Sequence, residues 1–147
     1  MRNSLTKVTC PGRVEIICKE PFIIIDSAHT VESINALKKT ISEYINPEKI
    51  TLLFGISQDK DIESILIEIV PGVDNVIYTT TSNPRSTKPE DLVKIHERLF
   101  KNSCYSTDNI NDGLKLAIKI TYKDNLICVT GSNYLAGAIK EIVEKGF

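Results

Sequence analysis

Residues 22–30 have the sequence Phe-Ile-Ile-Ile-Asp-Ser-Ala-His-Thr, in which four apolar residues are followed at once by a polar loop. An apolar run without alternation is typical of a parallel strand that helices cover on both faces. The loop leads into Val31, Ile34, Leu37 and Ile41, which recur at the three- and four-residue steps of an amphipathic helix. This stretch therefore predicts a strand–loop–helix unit.

The same unit recurs along the chain. Further β-rich runs precede helical patterns at Ile50–Phe54, Asn75–Thr79, Ser103–Thr107 and Leu126–Thr130. Another apolar run, Val14–Cys18, is separated from Phe22 by only three residues, so these two strands can join only as an antiparallel hairpin. The alternation predicts an α/β fold: a Rossmann-like open, mostly parallel six-stranded sheet with an antiparallel N-terminal edge strand and five helices.

The composition is that of one ordinary globular domain of 147 residues, with 41% hydrophobic and 25% charged side chains. Eighteen basic residues against 19 acidic ones give a net charge of -1, without the basic excess that nucleic-acid binding requires. No apolar run approaches the roughly 20 residues of a membrane span, and the N-terminus lacks the apolar core of a signal peptide. We expect a single cytoplasmic domain with no nucleic-acid or membrane partner.

Local patterns predict three structural details. The four cysteines match neither a metal knuckle nor a dense disulfide framework, so we expect reduced thiols and no metal site. Thr87-Lys88-Pro89-Glu90 predicts a capping box at the start of the helix over residues 89–101. His96 lies in that helix beside charged neighbours, and we expect it at the surface.

Open parallel sheets bind ligands beyond the carboxyl ends of their strands, so the polar residues that follow each strand are candidates. Asp26 ends a strand and can reach a ribose hydroxyl, while His29 at a helix start can donate to a phosphate oxygen. The structural alternative is that Asp26, Ser27 or Thr30 merely caps the helix and His29 is a solvated turn residue.

Three later positions offer groups that bind anions. Lys60 stands between two acids and can present an ammonium to a carboxylate or phosphate, or it is a solvated lysine in a capping loop. Arg85 offers a planar fork of donors, or it is an ordinary exposed arginine. Ser132 follows Gly131 and is an N-cap, so a ligand can approach the free N–H groups of the helix start.

The chain contains neither G-x-x-x-x-G-K-[ST] nor G-x-G-x-x-G, so the β- and γ-phosphates of any bound nucleotide must be held elsewhere. Arg13 ends the turn Pro11-Gly12-Arg13 before the edge strand and suits a clamp on phosphates, or it belongs to an ordinary entry turn. No catalytic triad and no pair of carboxylates can be recognised, so no residue is assigned as nucleophile or general base.

Five motifs follow one another in the chain: Pro11-Gly12-Arg13, Asp26-x-Ala28-His29, Phe54-Gly55 with Asp59-Lys60-Asp61, Pro84-Arg85, and Thr130-Gly131-Ser132-x-Tyr134. In this order they resemble the C-terminal glutamate ligase domain of the folylpolyglutamate synthase and dihydrofolate synthase branch of the Mur ligase family. The resemblance covers nearly the whole chain. It implies an ATP-dependent, ADP-forming amide ligase that activates a folate or dihydropteroate carboxylate as an acyl phosphate, which the amine of glutamate then attacks.

The resemblance also implies which residues hold the reactants. It places Arg13, Asp26 and His29 at the nucleotide. It places Lys60 and Ser132 at the incoming glutamate, and Arg85 is a further candidate for the same region. The P-loop and the Mg²⁺ ligands belong to the central domain of such enzymes, so this domain is expected to be inactive alone and to act with that central P-loop domain of the same parent chain.

The chain departs from the family at the first loop, where Ser27 replaces Gly and Thr30-Val31 replaces Asn-Pro. Residues 1–10 correspond to the linker between domains, so we expect a domain over residues 1–147 that is excised from a larger chain. Two alternatives stay open. One is a stand-alone nucleotide-binding or regulatory module without catalysis, which the altered loop favours, and the other is a ligase domain of the cell-wall Mur branch.

Overall fold

The structure is a computed structural model that describes residues 14–146. Its strands are β1 (Glu15–Lys19), β2 (Phe22–Ile25), β3 (Ile50–Phe54), β4 (Asn75–Tyr78), β5 (Tyr105–Ser106) and β6 (Leu126–Thr130). They form one sheet in the order β1-β2-β6-β3-β4-β5. β1 pairs antiparallel with β2, and the other neighbouring pairs are parallel, which confirms the predicted sheet. β5 is shorter than predicted, and its two residues are exposed at the sheet edge.

The described residues contain five α-helices, as predicted. They are α1 (Val31–Thr40), α2 (Ile62–Ile69), α3 (Pro89–Leu99), α4 (Ile110–Ile120) and α5 (Asn133–Glu144). α1 continues into a π-helical turn at Ile41–Ile45, and α2 continues into a 3-10 turn at Val70–Gly72. α1, α2 and α3 pack on one face of the sheet, and α4 and α5 pack on the other.

Both faces of the central strands are therefore apolar. All five residues of β6 are buried. Cys128 packs in the core beneath α1–α3, whereas its neighbours Ile127 and Val129 pack in the core beneath α4 and α5. Because successive side chains of a strand point to opposite faces, a strand between two helical layers needs apolar side chains on both faces.

His96 is fully buried, so the prediction that it lies at the surface was wrong. Its Nδ1 accepts a hydrogen bond from the Tyr78 hydroxyl at 2.8 Å, and its Nε2 donates to the Asn102 carbonyl oxygen at 3.0 Å. The ring of Phe100 packs against the imidazole, with ring centres 5.0 Å apart. A buried imidazole whose two nitrogens both have partners is an acceptable core residue.

The predicted capping box at α3 was also wrong. Lys88 is the N-cap and makes no side-chain cap hydrogen bond, although Pro89 does occupy the first turn as predicted. Thr87 is buried, and its N–H donates to the Ile56 carbonyl oxygen at 2.9 Å. This long-range bond draws Thr87 towards the loop after β3, away from the geometry of a cap.

Among residues 14–146, no helix combines the length and hydrophobicity that crossing a membrane demands. Cys18, Cys104 and Cys128 are free thiols. Burial, followed by the charge of Asp26, raises the pKa of the Cys128 thiol. Burial, followed by the proximity of Cys104, likewise raises the pKa of the Tyr78 hydroxyl.

These two shifts predict that the protein loses stability in alkali. Both groups have a higher pKa in the folded chain than in the unfolded chain, where the pKa is 9.0 for Cys and 10.0 for Tyr. Their contribution to the free energy of unfolding is therefore complete below these unfolded pKa values and is lost as the pH rises above them. We expect the free energy of unfolding to fall above about pH 9, by up to about 1.4 kcal/mol per pH unit for each group.

Urea denaturation at pH 8 and pH 10 measures this loss. The Cys128→Ala and Tyr78→Phe variants each remove one titrating group, so each should show a smaller drop between the two pH values than the parent chain. An equal fall in the free energy of unfolding of all three proteins would show that Cys128 and Tyr78 do not cause the loss of stability in alkali.

Candidate functional site

The loops that follow β2, β3, β4 and β6 meet at the carboxyl edge of the sheet, where they enclose a cleft of about 200 Å³. The cleft is lined by His29, Ser57, Asp59, Lys60, Asn83, Arg85, Gly131, Ser132, Asn133 and Tyr134. Four of the residues predicted from the sequence thus share one cleft: His29, Lys60, Arg85 and Ser132. Asp26 does not line it, and Arg13 lies outside the described residues.

Backbone hydrogen bonds hold the loops after β2 and β6 together. The N–H of Asp26 donates to the Val129 carbonyl oxygen at 3.0 Å, and the N–H of Gly131 donates to the Ala28 carbonyl oxygen at 3.1 Å. The Thr130 hydroxyl also donates to the Ala28 carbonyl oxygen at 3.4 Å. His29 and Ser132 are therefore brought to the cleft by main-chain contacts.

The loops after β3 and β4 are joined in the same way. The N–H of Gln58 donates to the Arg85 carbonyl oxygen at 2.8 Å, and Ser57 and Ser86 form an isolated antiparallel bridge. The Ser86 hydroxyl accepts from the N–H of Thr81 at 2.8 Å and so closes the β4 loop on itself. This pairing places the loop of Lys60 beside the loop of Arg85.

The charges of the cleft are two cations and one anion. An Asp59 carboxylate oxygen lies 3.9 Å from Lys60 Nζ and 3.9 Å from Arg85 Nη1. All three side chains are accessible to solvent, and ion pairs of this kind contribute only about 0–1 kcal/mol. Both cations are therefore available to an anionic ligand, and they leave a surplus of one positive charge.

Ser132 is buried and is the N-cap of α5, as predicted. Its hydroxyl accepts from the N–H of Tyr134 at 3.0 Å. The start of α5 thus faces the cleft, and a helix N-terminus carries partial positive charge. This end of the cleft favours the same negative ligands as Lys60 does.

The loop after β2 begins α1 with Thr30 as the N-cap, one of the three residues considered for that role. The Thr30 hydroxyl oxygen accepts from the N–H of Ser33 at 3.1 Å, and Ser33 completes a capping box. Asp26 is only 6% exposed, and its carboxylate accepts from the N–H of Ala28 at 2.9 Å. This bond orders the loop, and the expected contact of Asp26 with a ribose stays a prediction.

Tyr134 lines the cleft although sequence reasoning assigned it no role. Its side chain is 54% exposed, next to the cap residue Ser132. One feature of the sequence could have identified it. Tyr134 lies in the first turn of α5, outside the apolar face of the helix that includes Leu135 and Ile139. A large aromatic residue exposed beside a polar loop is the exception in an amphipathic helix.

The described residues do not fit a magnesium ion. Nowhere in residues 14–146 do three or more His, Cys, Asp or Glu side chains gather as metal ligands would. The cleft itself contains one carboxylate, Asp59, which already faces two cations. Magnesium prefers oxygen ligands, and a single carboxylate held between positive charges is a poor site for it.

Residues 12–133 match the family described as the Mur ligase, glutamate ligase domain. The chain therefore belongs to this family. The fold agrees with that assignment.

Its relatives come from two branches. The dihydrofolate synthase/folylpolyglutamate synthase of Mycobacterium tuberculosis is 26% identical over 97% of this chain and 32% of its own length. A UDP-N-acetylmuramoyl-L-alanyl-D-glutamate–2,6-diaminopimelate ligase of Caldanaerobacter subterraneus is 27% identical over 91% of this chain and 29% of its own length. The structure of Mycobacterium tuberculosis folylpolyglutamate synthase complexed with ADP has a TM-score of 0.81 and 27% identity, over 91% of this chain and 32% of that one. The chain spans about a third of the length of these relatives.

The backbone contact between the loops after β3 and β6 depends on Gly131. Its φ is +110°, and a Cβ at this position would overlap the Gly55 carbonyl oxygen and lie 2.9 Å from a ring carbon of Phe54. We expect Gly131→Ala to lower the free energy of unfolding by at least about 2 kcal/mol. The backbone strain of a non-glycine residue at positive φ and the steric overlap of its Cβ both destabilise the folded state.

Gly137→Ala is the matched control. Gly137 lies inside α5, and a Cβ there would meet no atom within 4 Å. This change should raise stability by about 0.5–1 kcal/mol, since alanine is the better helix former. Chemical denaturation of both variants measures the difference, and equal stabilities would refute the role of Gly131.

Proposed function

We propose that this chain is the C-terminal domain of an ATP-dependent, ADP-forming ligase that joins glutamate to the carboxylate of a folate or dihydropteroate through an acyl phosphate. The observation that carries the proposal is the cleft of about 200 Å³, in which Lys60, Arg85 and Ser132 surround a space suited to an amino acid. Membership of the family and the ADP complex of the mycobacterial relative support it.

The cleft residues would act by positioning. Lys60 and Arg85 would each pair with a carboxylate of the amino acid, and the start of α5 with Ser132 would add N–H or hydroxyl contacts. Holding the amine at the acyl carbon removes part of the entropic barrier of a reaction between two molecules. No described residue would need to form a covalent intermediate.

The nucleotide would be shared with another domain. The chain has no P-loop motif and spans about a third of its relatives, so the triphosphate and the magnesium ion would be held by a central ATP-binding domain of the same parent chain. Arg13, which precedes the edge strand in the sequence, and Asp26 and His29, from the loop after β2, would contribute to the nucleotide side. The domain alone would then be inactive.

A diamino acid is the second candidate for the incoming amino acid. Several relatives are named as 2,6-diaminopimelate ligases and are 27–29% identical to this chain. Asp59 supports this candidate, because its carboxylate in the cleft could pair with a second ammonium group. In that case the domain would belong to a cell-wall ligase.

Titration of the chain with L-glutamate, followed by NMR shifts of the cleft amides, tests the amino-acid site. We expect weak, millimolar binding, because the rest of the proposed site would lie on the central domain. Lys60→Ala should weaken it about 10- to 100-fold, since a hydrogen bond to a charged group contributes about 1.5–3 kcal/mol. Lys115→Ala, on the exposed side of α4, is the matched control and should leave binding unchanged.

The other candidates predict different outcomes of the same titration. Tighter binding of meso-diaminopimelate than of glutamate, lost in Asp59→Asn, would favour the cell-wall branch. ATP binding with micromolar affinity would contradict the ligase domain and favour a stand-alone nucleotide-binding module. Equal glutamate binding by the parent chain and Lys60→Ala would remove Lys60 from the site.

A further inference from the structure

A second pocket, of about 230 Å³, lies at the other ends of α1 and α2 from the cleft. These two helices begin next to His29 and Lys60, at the carboxyl edge of the sheet, whereas residues of their last turns line this pocket. β3, β6 and the 3-10 turn after α2 complete its walls. No residue lines both the pocket and the cleft, so the two are separate sites.

The floor of this pocket is apolar and belongs to the core. Leu52 of β3 and Cys128 of β6 are at most 1% exposed, and Leu37 and Ile69 on the two helices are also buried. The Cys128 thiol acts here as a small apolar side chain, because burial raises its pKa and keeps it neutral. A cavity of about 150 Å³ with aliphatic and aromatic walls is large enough for benzene. The pocket therefore has room for one ring with a small substituent.

The rim of the pocket is polar, with half-buried Lys38 and exposed Ser42 and Asn46. Lys38 Nζ donates to the Glu68 carbonyl oxygen at 2.9 Å and to the Glu68 carboxylate at 2.8 Å. An ammonium group has three N–H donors, so one of them is left for a ligand. Because the Glu68 carboxylate already balances the charge of Lys38, the rim favours a neutral acceptor over a second carboxylate.

The wall that α1 contributes departs from a regular helix. α1 continues into the π-helical turn Ile41–Ile45, which ends where the N–H of Asn46 donates to the Ile41 carbonyl oxygen at 2.6 Å. Single π-helical turns are rare and occur frequently at functional sites. Ile41 and Ser42, at the start of this turn, line the pocket. The irregular wall is thus an observation, independent of the volume, that indicates a ligand site.

We propose that this pocket binds a small neutral molecule with an apolar ring and one hydrogen-bond acceptor. The ring packs on Leu52 and Cys128, and the acceptor takes the remaining N–H of Lys38. Burial of the ring supplies the affinity, and the single hydrogen bond fixes its orientation. This inference goes beyond the proposed function and does not depend on it.

Titration of the chain with acetophenone, followed by NMR shifts of methyl groups, tests the site. Acetophenone is a benzene ring with one carbonyl oxygen, and we expect it to bind with a dissociation constant of about 1 mM. The methyl signals of Leu37, Leu52 and Ile69 should shift. Benzoate has the same ring with a carboxylate, and it should bind at least about ten-fold more weakly, because its charge must be desolvated beside Glu68.

Two variants locate the ligand within the pocket. Cys128→Leu extends a side chain from the floor and should weaken acetophenone binding at least about ten-fold, because it fills the space of the ring. Lys38→Met keeps an unbranched side chain and removes the donor, so it should weaken binding about ten-fold. It also keeps the test usable where Cys128→Leu does not fold. Lys39→Met is the matched control, since Lys39 is exposed and does not line the pocket, and it should leave binding unchanged.

Three results would overturn the inference. The first is the absence of any shift of the three methyl signals, and the second is binding that both Cys128→Leu and Lys38→Met leave unchanged. The third is benzoate binding as tight as that of acetophenone, which would refute a neutral ligand. The titration with L-glutamate reads the amides of the cleft instead, so a failure of the proposed function is recognised separately from a failure here.

Discussion

A Cβ on Gly131 would overlap the carbonyl oxygen of Gly55, so no side chain fits at this position between the loops after β6 and β3. This approach of two backbones governs the carboxyl edge of the sheet. Gly131 is also bonded to Ala28 through its N–H, so three loops are joined by main-chain contacts. The walls of the cleft are therefore fixed by backbone packing, and the side chains that project from them can differ among relatives without moving the walls. The ligand of a site assembled in this way can change with its side chains while the fold is kept.

The charges of the cleft point to a ligand with negative groups. Asp59 lies at ion-pair distance from both Lys60 and Arg85, but in solvent such contacts are weak and are easily exchanged for a carboxylate of a ligand. The partial positive charge at the N-terminus of α5, beside Ser132, adds to the positive potential of these cations. His29 differs from these groups because its Nδ1 lies 2.9 Å from the Ser27 carbonyl oxygen of its own loop.

One polar residue shows how sequence context can mislead. The sequence neighbours of His96 include charged residues, which suggested the surface, but Leu92 and Phe100 lie four residues away on either side and mark the face that packs inward. Asp26 stands after a strand, where ligand-binding carboxylates are common, yet it is 6% exposed and bonded to the N–H of Ala28. Helical spacing was a usable signal for His96. Asp26 thus orders its own loop, and its expected contact with a ribose stays a prediction.

The amino-acid sequence alone determined the alternation of strands and helices, the antiparallel edge, the cap at Ser132 and the loops that carry candidate residues. These features follow from periods of two and of 3.6 residues and from short-range hydrogen bonds, all of which are local. Only the tertiary structure decided which loops meet. It places β6 between β2 and β3, where Thr130 reaches an Ala28 that is 102 residues away in the chain. It also brings His29 into the same cleft as Lys60, Arg85 and Ser132, whereas Asp26 does not line that cleft. Strand order and side-chain burial depend on contacts between distant segments, and no local pattern contains them.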